Sequence, residues 1–480
     1  MLASSLTAGI QTTLDKHAPL RERRRKSRRP CPWITDELVA SVRERNRAHR
    51  LWLRDKTDQN LQEAHRSARS KARKLDRSLR NLYFTKRCDT SDQRQLWAVM
   101  NDVTGRQKTR KEPEAPLESL SKLFGDIVHD PMRPPELHIP HGPASASSFS
   151  TFQPVSVSDV AQCLQTVSPH KASGSDNIPG ILLQQCSDVL APPFTTLVNA
   201  SLTSGTVPVC FKTSHISPLF KSGDATSPTN YRPVSLLPIL SRILEFFVKK
   251  QLTAYLTQHS ILPSSQFAYR KMHSTEDALV LAANRWLLAK QERKYTGIVM
   301  VDMSKAFDRV QHQRLIDKLF TLGVNGRVLL WLASYLSGRT QRVKVCEALS
   351  DAVPCSRGVP QGSVLGPLLF VLYTSDISDV IPCIVVHQEF ADDIILDYSD
   401  SDLDTVCKTL TTAVTRLSDW LSEIGLLLNT GKTQVMVIQS RGLTGDIPVV
   451  KCKDQALTVT STAKYLGVTI DDQLSWQPHV

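Results

Sequence analysis

The sequence predicts an α+β fold, in which a basic helical N-terminal region precedes a mixed body of strands and helices. Short apolar runs typical of buried strands lie between longer stretches with helical periodicity, and Lys and Arg are concentrated near the N-terminus. At 480 residues the chain is too long for one hydrophobic core, so two to four domains are expected. Strands are predicted near residues 297–301, 341–346, 383–386 and 394–398.

The positive charge of the chain lies almost entirely in its N-terminal part. Residues 1–110 contain 27 Lys or Arg and 12 Asp or Glu, a net charge of +15, whereas the whole chain carries +13. A basic cluster at 21–29 is typical of a nuclear-localisation signal, of a nucleic-acid-binding patch or of a solvated charge run. Such a surplus attracts phosphate backbones through counterion release, without reading base sequence.

Two helices are predicted in this basic region, near 35–55 and 59–87. Thr35 and the two acidic residues after it form a typical helix start, with a capping hydroxyl and negative charge at the positive end of the helix dipole. The pair suits a helical hairpin that packs on the body or on RNA. One apolar packing stripe at alternating spacings of four and three consists of Ala68, Ala72, Leu75, Leu79 and Leu82.

The body of the chain begins after residues 130–154, a segment rich in Pro and Ser that is predicted to be a linker. The whole of 1–129 is assigned to the basic helical region. A further strand is predicted at Gln434–Ile438. Helices of the body are predicted at Ser156–Val167, Ile181–Ser204, Leu315–Leu322, Gly326–Leu336, Val364–Tyr373 and Asp402–Ile424.

The cysteines and the hydropathy exclude two classes of protein. Ten cysteines form no CxxC pair and no Cys/His cluster with zinc spacing, so no structural zinc is expected. They are interpreted as reduced thiols of an intracellular protein, found in the nucleus and cytoplasm. No stretch approaches 18 consecutive apolar residues, so no membrane span is predicted.

Two adjacent carboxylates, in Phe390–Asp393, are the most informative feature of the sequence. Between two apolar runs, Asp392 and Asp393 are expected at or beside the turn of a β-hairpin. Unpaired like charges raise each other's pKa and cost stability, and a divalent metal removes that cost. Asp302, at the end of the predicted strand 297–301, is the candidate third carboxylate. Such carboxylates can hold two Mg²⁺ ions about 4 Å apart for phosphoryl transfer.

Over residues 155–475 the chain resembles reverse transcriptases of non-LTR retrotransposons of the long interspersed element type. Many relatives have Tyr where this chain has Phe390. The motifs that carry the resemblance are, in the palm, Asp302–Asp308, Arg357–Ser363, Phe390–Asp393, Leu426–Thr433 and Lys464–Val468, and, in the fingers, Lys171–Pro179, Pro218–Asp224, Asn230–Ser235 and Gln266–Arg270.

The resemblance implies a right-hand polymerase with fingers at 155–296 and a palm at 297–480. It implies RNA-directed DNA polymerase activity, in which a primer 3′-hydroxyl attacks the α-phosphate of a dNTP between two Mg²⁺ ions. The partners would be an RNA template, a DNA primer or target and dNTPs. Because the sequence stops soon after the fifth palm motif, a thumb and an endonuclease are expected on other parts of a larger polyprotein.

The resemblance also assigns roles at the catalytic centre. Asp302 and Asp392 would bind both metal ions with the help of the backbone carbonyl of Met303. Asp393 would complete the acidic cluster. Phe307 would lie against the sugar of the incoming nucleotide and exclude a 2′-hydroxyl. Taken singly, Asp302 could cap a helix, the Asp pair could be ordinary turn residues, and Phe307 could be a core residue.

Further residues are expected to contact the substrates. Gln361 and Gly362 lie in a Gly-rich loop, where the lack of a Cβ lets backbone approach a base pair. Guanidinium forks bind phosphate oxygens in pairs and ammonium groups act as point charges, so Arg232 and Lys221 are candidates for the triphosphate. The resemblance places Lys432 near the leaving pyrophosphate.

Two alternatives to an active polymerase follow from the same sequence. One is a catalytically inert, truncated RNA-binding remnant that keeps the fold. The other is an intron-type maturase, which Ser304–Asp308 makes less fitting. Glu389 and Asp397 add acidic residues near the predicted hairpin, where relatives tend to be apolar.

Overall fold

The computed structural model describes residues 2–18, 32–89, 96–97, 99–101, 112–131, 136–140, 148–439 and 447–479. The basic cluster at 21–29 and parts of the predicted linker lie outside these residues. The chain divides into two compact units, one from Ala18 to Glu112 and the other made of Met1–His17 with Pro113–Val480. Within the described residues, no helix is both long and apolar enough to cross a membrane.

The described residues contain helices of 4 to 30 residues. They are α1 (Leu2–His17), α2 (Asp36–Arg54), α3 (Gln59–Cys88), α4 (Leu117–Val128), α5 (Val157–Gln165), α6 (Gly180–Gln185), α7 (Ser187–Ser204), α8 (Ile239–Gln258), α9 (Thr275–Gln291), α10 (Ala306–Arg309), α11 (His312–Thr321), α12 (Gly326–Leu336), α13 (Gly366–Tyr373) and α14 (Leu403–Glu423).

In the part of the chain that the structure describes, the strands are short and lie in four sheets. They are β1 (Thr213–Phe220), β2 (Tyr231–Leu236), β3 (Tyr295–Val301), β4 (Arg339–Val345), β5 (Ala348–Leu349), β6 (Val353–Cys355), β7 (Val386–Phe390), β8 (Asp393–Asp400), β9 (Gln434–Ile438), β10 (Lys451–Cys452), β11 (Gln455–Ala456), β12 (Thr458–Val459), β13 (Thr462–Tyr465) and β14 (Val468–Asp471).

The smaller unit is the predicted helical hairpin, in which α2 packs against α3. The Thr35 hydroxyl accepts a hydrogen bond from the backbone of α2 at 3.3 Å, and the Asp58 carboxylate caps α3 at 2.8 Å. Both helix predictions are confirmed. The predicted stripe is buried at Ala72 but open at Leu82, which is 53% exposed.

The sheet that positions the site has the order β12-β9-β3-β8-β7. Its central strand β3 is antiparallel to both β8 and β9, and its residues Ile298 and Val299 are fully buried. Helices α9 and α14 pack against β3. Because β3 is surrounded on all sides, the residue at its end has a fixed position relative to the β7–β8 hairpin.

A second sheet has the order β2-β1-β4-β5, with β6 paired to β4. Its strands β1 and β4 are parallel, and β1 and β2 are antiparallel. Phe124 of α4 packs with Ile216 and Val343 on this sheet, and all three are at most 2% exposed. This sheet positions the basic residues at the ends of β1 and β2.

Most predicted elements of the body are confirmed within one to three residues, and two are wrong. The predicted strand 383–386 is a turn that follows Pro382, and the strand begins only at Val386. Ile384 is 57% exposed, and of this apolar run only Val385, which is 3% exposed, reaches the core. The predicted helix Ile181–Ser204 is divided into α6 and α7 by a break at Cys186.

Candidate active site

The β7–β8 hairpin has a two-residue turn that presents the Asp pair. Phe390 pairs with Asp393 across the hairpin, so Ala391 and Asp392 form the turn and Asp393 is the first residue of β8. Val301 pairs with Ile394 on the adjacent strand, which brings the next residue of the chain, Asp302, beside this turn. The helix after Asp302 begins only at Ala306 and is preceded by Lys305, so Asp302 does not cap it.

The structure brings every site residue predicted from the sequence to one cavity of about 690 Å³. Their separate roles stay predictions. The predicted residues that line the cavity are Lys221, Arg232, Asp302, Met303, Phe307, Gln361, Gly362, Asp392, Asp393 and Lys432.

The three carboxylates on one wall of this cavity repel each other. Limited contact with water, together with the charges of Asp392 and Asp302, raises the pKa of Asp393 to about 6. Burial, and to a smaller extent the charge of Asp302, also raises the pKa of Asp392. None of the carboxylates of Asp302, Asp392 and Asp393 forms an ion pair with a described residue. The wall therefore keeps negative charge that a bound cation would neutralise.

Mg²⁺ suits this wall by ligand chemistry, since it prefers hard carboxylate and phosphate oxygens and needs few protein ligands. Among the described residues, no group of three or more His, Cys, Asp or Glu is assembled closely enough to hold a metal ion by itself. Two-metal sites for phosphoryl transfer share their ligands with substrate oxygens. The unpaired carboxylates fit such a site, in which the protein supplies only part of each coordination shell.

Four basic side chains line the same cavity, and three of them, Lys221, Arg232 and Lys432, were predicted from the sequence. Lys221 follows β1, where its N–H donates to the Asn230 carbonyl at 2.8 Å, and Arg232 lies on β2 opposite Leu219. Burial lowers the pKa of Lys221, and the positive charges of Arg232 and Lys432 lower it further. None of these three cations forms an ion pair with a described residue, which suits the binding of several phosphate oxygens.

Lys432 reaches the cavity through a loop that is tied to the end of β3. The N–H of Asn429 donates to the Asp302 carbonyl at 2.8 Å, and the Asp302 N–H donates to the Thr433 hydroxyl at 3.3 Å. The N–H of Ser304 donates to the Leu427 carbonyl at 2.9 Å. The candidate metal ligand and the candidate pyrophosphate-binding lysine are thus held by one hydrogen-bonded unit.

Phe307 forms another part of the cavity wall. Its ring stacks on Phe370 with the ring centroids 4.5 Å apart and an angle of 24° between the planes. Its carbonyl accepts the N–H of Val359 at 2.9 Å. Phe307 is therefore both packed from behind and open to the cavity, which leaves the ring little freedom to move.

The glycines of the Gly-rich loop approach the protein's own backbone. Gly358 has φ +83°, and a Cβ at this position would lie 2.7 Å from the Asp308 carbonyl oxygen. Gly362 has φ +113°, and a Cβ there would lie 2.8 Å from the Ser235 carbonyl oxygen. Both conformations favour glycine. The glycines hold Gln361 between two neighbouring segments of the protein.

Asp308 is a cavity residue that the sequence predictions missed. It is 7% exposed, and its carboxylate accepts the Nε2–H of Gln361 at 2.9 Å. Burial raises the pKa of Asp308 to about 7, against the opposing effect of Lys305. Its place at the end of the Asp302–Asp308 motif was the available signal. Other cavity residues missed in this way are Tyr269, Ser304, Lys305 and Asn429.

The two additional acidic residues lie behind the hairpin, outside the cavity wall. Asp397 is 4% exposed and pairs with the Arg285 guanidinium at 2.6 Å. The same guanidinium donates to Gln388 at 3.2 Å. Glu389 is 1% exposed and accepts hydrogen bonds from Ser265 and Gln266. Each acidic residue therefore has polar partners inside the fold.

The smaller unit carries a basic surface on α3, which we call the α3 basic face and which consists of Arg66, Arg69, Arg73, Lys74 and Arg77. No ion pair or hydrogen bond to described residues neutralises its cations, and like charges at this spacing destabilise an isolated helix. The face encloses a shallow cavity of about 250 Å³ lined by Arg66, Arg69, Ser70, Arg73, Lys74 and Arg77.

Residues 220–470 match the family model described as reverse transcriptase (RNA-dependent DNA polymerase). The chain belongs to this family. The matched reverse transcriptase segment contains all the cavity residues predicted from the sequence, from Lys221 to Lys432. The predicted resemblance to reverse transcriptases of non-LTR retrotransposons is confirmed by this match and by the relatives described next.

Several curated reverse transcriptases of mobile elements are similar to the chain. The probable RNA-directed DNA polymerase from transposon BS of Drosophila melanogaster is 31% identical over 343 residues, which are 68% of this chain and 37% of the relative. The RNA-directed DNA polymerase from mobile element jockey of the same species is 29% identical over 335 residues, 68% of this chain and 36% of the relative. The chain spans little more than a third of these relatives.

Among solved structures, the chain is similar to an apo telomerase from Candida tropicalis that was truncated from its C-terminal domain. The two are 16% identical, with a TM-score of 0.39, over 57% of this chain and 55% of the telomerase. That score is too low to support a statement about the fold, which rests on the family match and on the sheets described above.

Proposed function

We propose that this chain is an RNA-directed DNA polymerase that adds dNTPs to the 3′-hydroxyl of a DNA primer on an RNA template. The observation that carries the proposal is that one cavity brings together the unpaired carboxylates of Asp302, Asp392 and Asp393, the cations of Lys221, Arg232 and Lys432, and the ring of Phe307. Family membership supports the same activity. The 3′-oxygen–phosphorus bond would form as the bond between the α- and β-phosphates breaks and pyrophosphate leaves.

Asp302, Asp392 and the Met303 carbonyl are proposed to hold two Mg²⁺ ions, with Asp393 completing the acidic cluster. When bound, these ions would neutralise charge on the attacking and leaving oxygens. The protein's own contribution is to fix its carboxylates in advance on β3 and on the β7–β8 hairpin, so that little reorganisation accompanies the reaction. The fully buried residues of β3 support this role for Asp302.

Lys221, Arg232 and Lys432 are proposed to bind the triphosphate. Burial, and after it the positive charges of Arg232 and Lys432, lowers the pKa of Lys221, and the negative charge of the phosphates would relieve this mutual repulsion. Phosphoryl transfer depends mainly on positioning and charge neutralisation, which is what these residues offer. Lys432, held beside Asp302 by the loop after Asn429, is the proposed donor to the leaving pyrophosphate.

Phe307 and Gln361 are proposed to select the nucleotide. The Phe307 ring is supported by Phe370 and would collide with a 2′-hydroxyl, which favours deoxynucleotides. Gln361 donates its Nε2–H to Asp308, which leaves its side-chain oxygen available to the nucleotide or template. The α3 basic face is proposed to bind the RNA template by its phosphates, separately from the cavity.

Primer extension tests this proposal directly. Purified chain is incubated with Mg²⁺, dNTPs and a labelled DNA primer annealed to RNA, and products are resolved by gel electrophoresis. Wild type should extend the primer, and Asp392→Ala should reduce extension by at least about a hundredfold. Asp404→Asn, at an exposed position of α14, is the matched control and should behave like wild type.

The outcomes separate the polymerase from the alternative stated above. If wild type and Asp392→Ala are equally inert while both bind RNA, the chain is an RNA-binding remnant and the proposal is wrong. If the chain extends primers on DNA but not on RNA, the assignment of the template is wrong while the chemistry stands.

A further inference from the structure

The turn that carries Asp392 is held by a side chain from a distant part of the chain. Ala391 has φ +58°, a left-handed conformation that is unfavourable for a residue with a Cβ. Its N–H donates to Oε1 of Gln266 at 3.0 Å, and the N–H of Ala268 donates to the same oxygen at 2.9 Å. One side-chain oxygen therefore fixes the backbone immediately before Asp392.

The amide of Gln266 can fulfil this role in only one orientation. Gln266 is 0% exposed, and a half-turn of its amide would place an NH₂ group against two N–H donors. In the observed orientation Nε2 donates to Oε2 of Glu389 at 3.2 Å. The other oxygen of Glu389 accepts from the Ser265 hydroxyl at 2.9 Å. Glu389 thus gives the Gln266 nitrogen an acceptor and fixes which way the amide points.

Backbone hydrogen bonds keep the two side chains side by side. The N–H of Glu389 donates to the Ser265 carbonyl, and the N–H of Phe267 donates to the Glu389 carbonyl, both at 2.9 Å. The segment around Gln266 therefore runs parallel to the edge of β7. Burial raises the pKa of Glu389 to about 7, and its carboxyl group can accept from Gln266 in either protonation state.

We propose that Glu389 and Gln266 are positioning residues for Asp392. Glu389 orients the amide of Gln266, Gln266 holds the Ala391 N–H, and the turn so fixed holds the carboxylate of Asp392 in the cavity. Neither Glu389 nor Gln266 lines the cavity, so both act through the turn rather than on substrate. The inference rests on the proposed polymerase function, because it assigns the turn a catalytic purpose.

Kinetics of the full chain test the catalytic part. Glu389→Leu removes the acceptor and leaves a buried Nε2 without a partner, whereas Glu389→Gln keeps an oxygen that can accept from it. We expect Glu389→Leu and Gln266→Leu to lower kcat at least tenfold, with the KM for dNTP changed less than twofold. Glu389→Gln should stay within threefold of wild type. The control is Ser201→Ala on α7, which removes the partner of the Trp331 indole (3.0 Å).

Equal kcat in Glu389→Leu and wild type would overturn the proposal. So would a loss of kcat in Glu389→Leu no greater than in Ser201→Ala at a matched loss of urea midpoint, because a general loss of stability would then explain it. A rise in KM with unchanged kcat would also overturn it, since it would assign Glu389 to substrate binding.

Hydrogen–deuterium exchange, followed by mass spectrometry of the peptide that contains Ala391, tests the structural part without any activity. The Ala391 amide should be protected in wild type, Glu389→Gln and Ser201→Ala, and should exchange at least tenfold faster in Glu389→Leu. Unchanged protection in Glu389→Leu would refute the role of Glu389 in holding the turn. If wild type is inert in primer extension but the exchange results hold, the proposed function fails while the support of the turn stands.

Discussion

The ion pair behind the β7–β8 hairpin gives a quantitative prediction. Asp397 on β8 is 4% exposed, and its carboxylate accepts from the Arg285 guanidinium of α9 at 2.6 Å and 3.4 Å. Arg285→Met keeps most of the side-chain volume but leaves this carboxylate without its cation. Removal of one member of a buried ion pair typically costs about 3–5 kcal/mol.

The structure also sets an upper limit on this cost, because Asp397 can escape by binding a proton. Relative to an unfolded pKa of about 3.9, protonation at pH 7 costs about 4 kcal/mol, and at pH 5 it costs about 1.5 kcal/mol. Burial raises the pKa of Asp397 even with Arg285 present, so the ion pair of the wild type does not fully offset the cost of burying the carboxylate. The pair therefore adds little stability that Arg285→Met could remove beyond the cost of protonating Asp397. We therefore expect Arg285→Met to lose about 3–4 kcal/mol at pH 7.

The sign of the pH dependence follows from proton linkage. In Arg285→Met the folded state keeps a proton on Asp397 at pH values where the unfolded state has lost it. The stability of the variant therefore rises as pH falls from 7 to 5, by up to about 2.7 kcal/mol relative to wild type. Urea unfolding, followed by tryptophan fluorescence with the buried Trp286 next to Arg285, measures the difference.

A double variant completes the test. Arg285→Met with Asp397→Leu replaces the pair by apolar groups and should recover most of the lost stability, because neither charge remains buried. The reasoning is refuted if the single variant loses less than 1 kcal/mol at pH 7, if its loss is the same at pH 5, or if the double variant is no more stable than the single one.

Three further predictions concern the site and the smaller unit. Phe307→Val should lower the preference for dNTP over rNTP by about 10–200-fold in kcat/KM, whereas a purely structural Phe307 would change stability and leave the ratio unaltered. The free energy of unfolding of Asp308→Asn should rise by up to about 4 kcal/mol relative to wild type as pH rises from 4 to 7, because burial raises the folded pKa of Asp308 to about 7. Urea unfolding at several pH values measures this difference, and a difference that does not change with pH would contradict the prediction. Changing Arg69, Arg73 and Arg77 to Gln should reduce the slope of the logarithm of the RNA-binding constant against the logarithm of salt concentration by about 2–3. The control Lys71→Gln, at a lysine that is paired with Glu44, should reduce this slope by less than about 1. Equal slopes in the two variants would show that the α3 basic face does not bind RNA.

Local pattern was sufficient to predict the parts of the site that depend on neighbours in sequence. The hairpin turn at Phe390–Asp393 and the position of Asp302 at the end of β3 follow from two short apolar runs and the acidic residues beside them. The basic residues of the cavity could be chosen from many others only through their motifs, because any single Lys or Arg has the same propensity for the surface.

Contacts between distant segments could not be predicted in this way. Periodicity does not show that β3 lies between β8 and β9, nor that Gln266 reaches a residue 123 positions away. The error at residues 383–386 has a related cause. Those residues are apolar, yet Cys383, Ile384 and Val386 are exposed and only Val385 is buried, whereas the true strand contains the buried polar residues Gln388 and Glu389. A pattern rule that equates apolar with buried selects the wrong segment here.

The same buried polar residues explain why this hairpin has one position in the fold. Apolar side chains on β7 and β8 would pack against several neighbours almost equally well, since the hydrophobic effect is non-directional. Gln388 and Asp397 instead require the guanidinium of Arg285 on α9, and Glu389 requires the amide of Gln266. An arrangement that misses either partner leaves buried polar groups unpaired, which costs about 1–3 kcal/mol for each group. The hairpin is thereby held from two sides, and Asp392 stands at the turn between them.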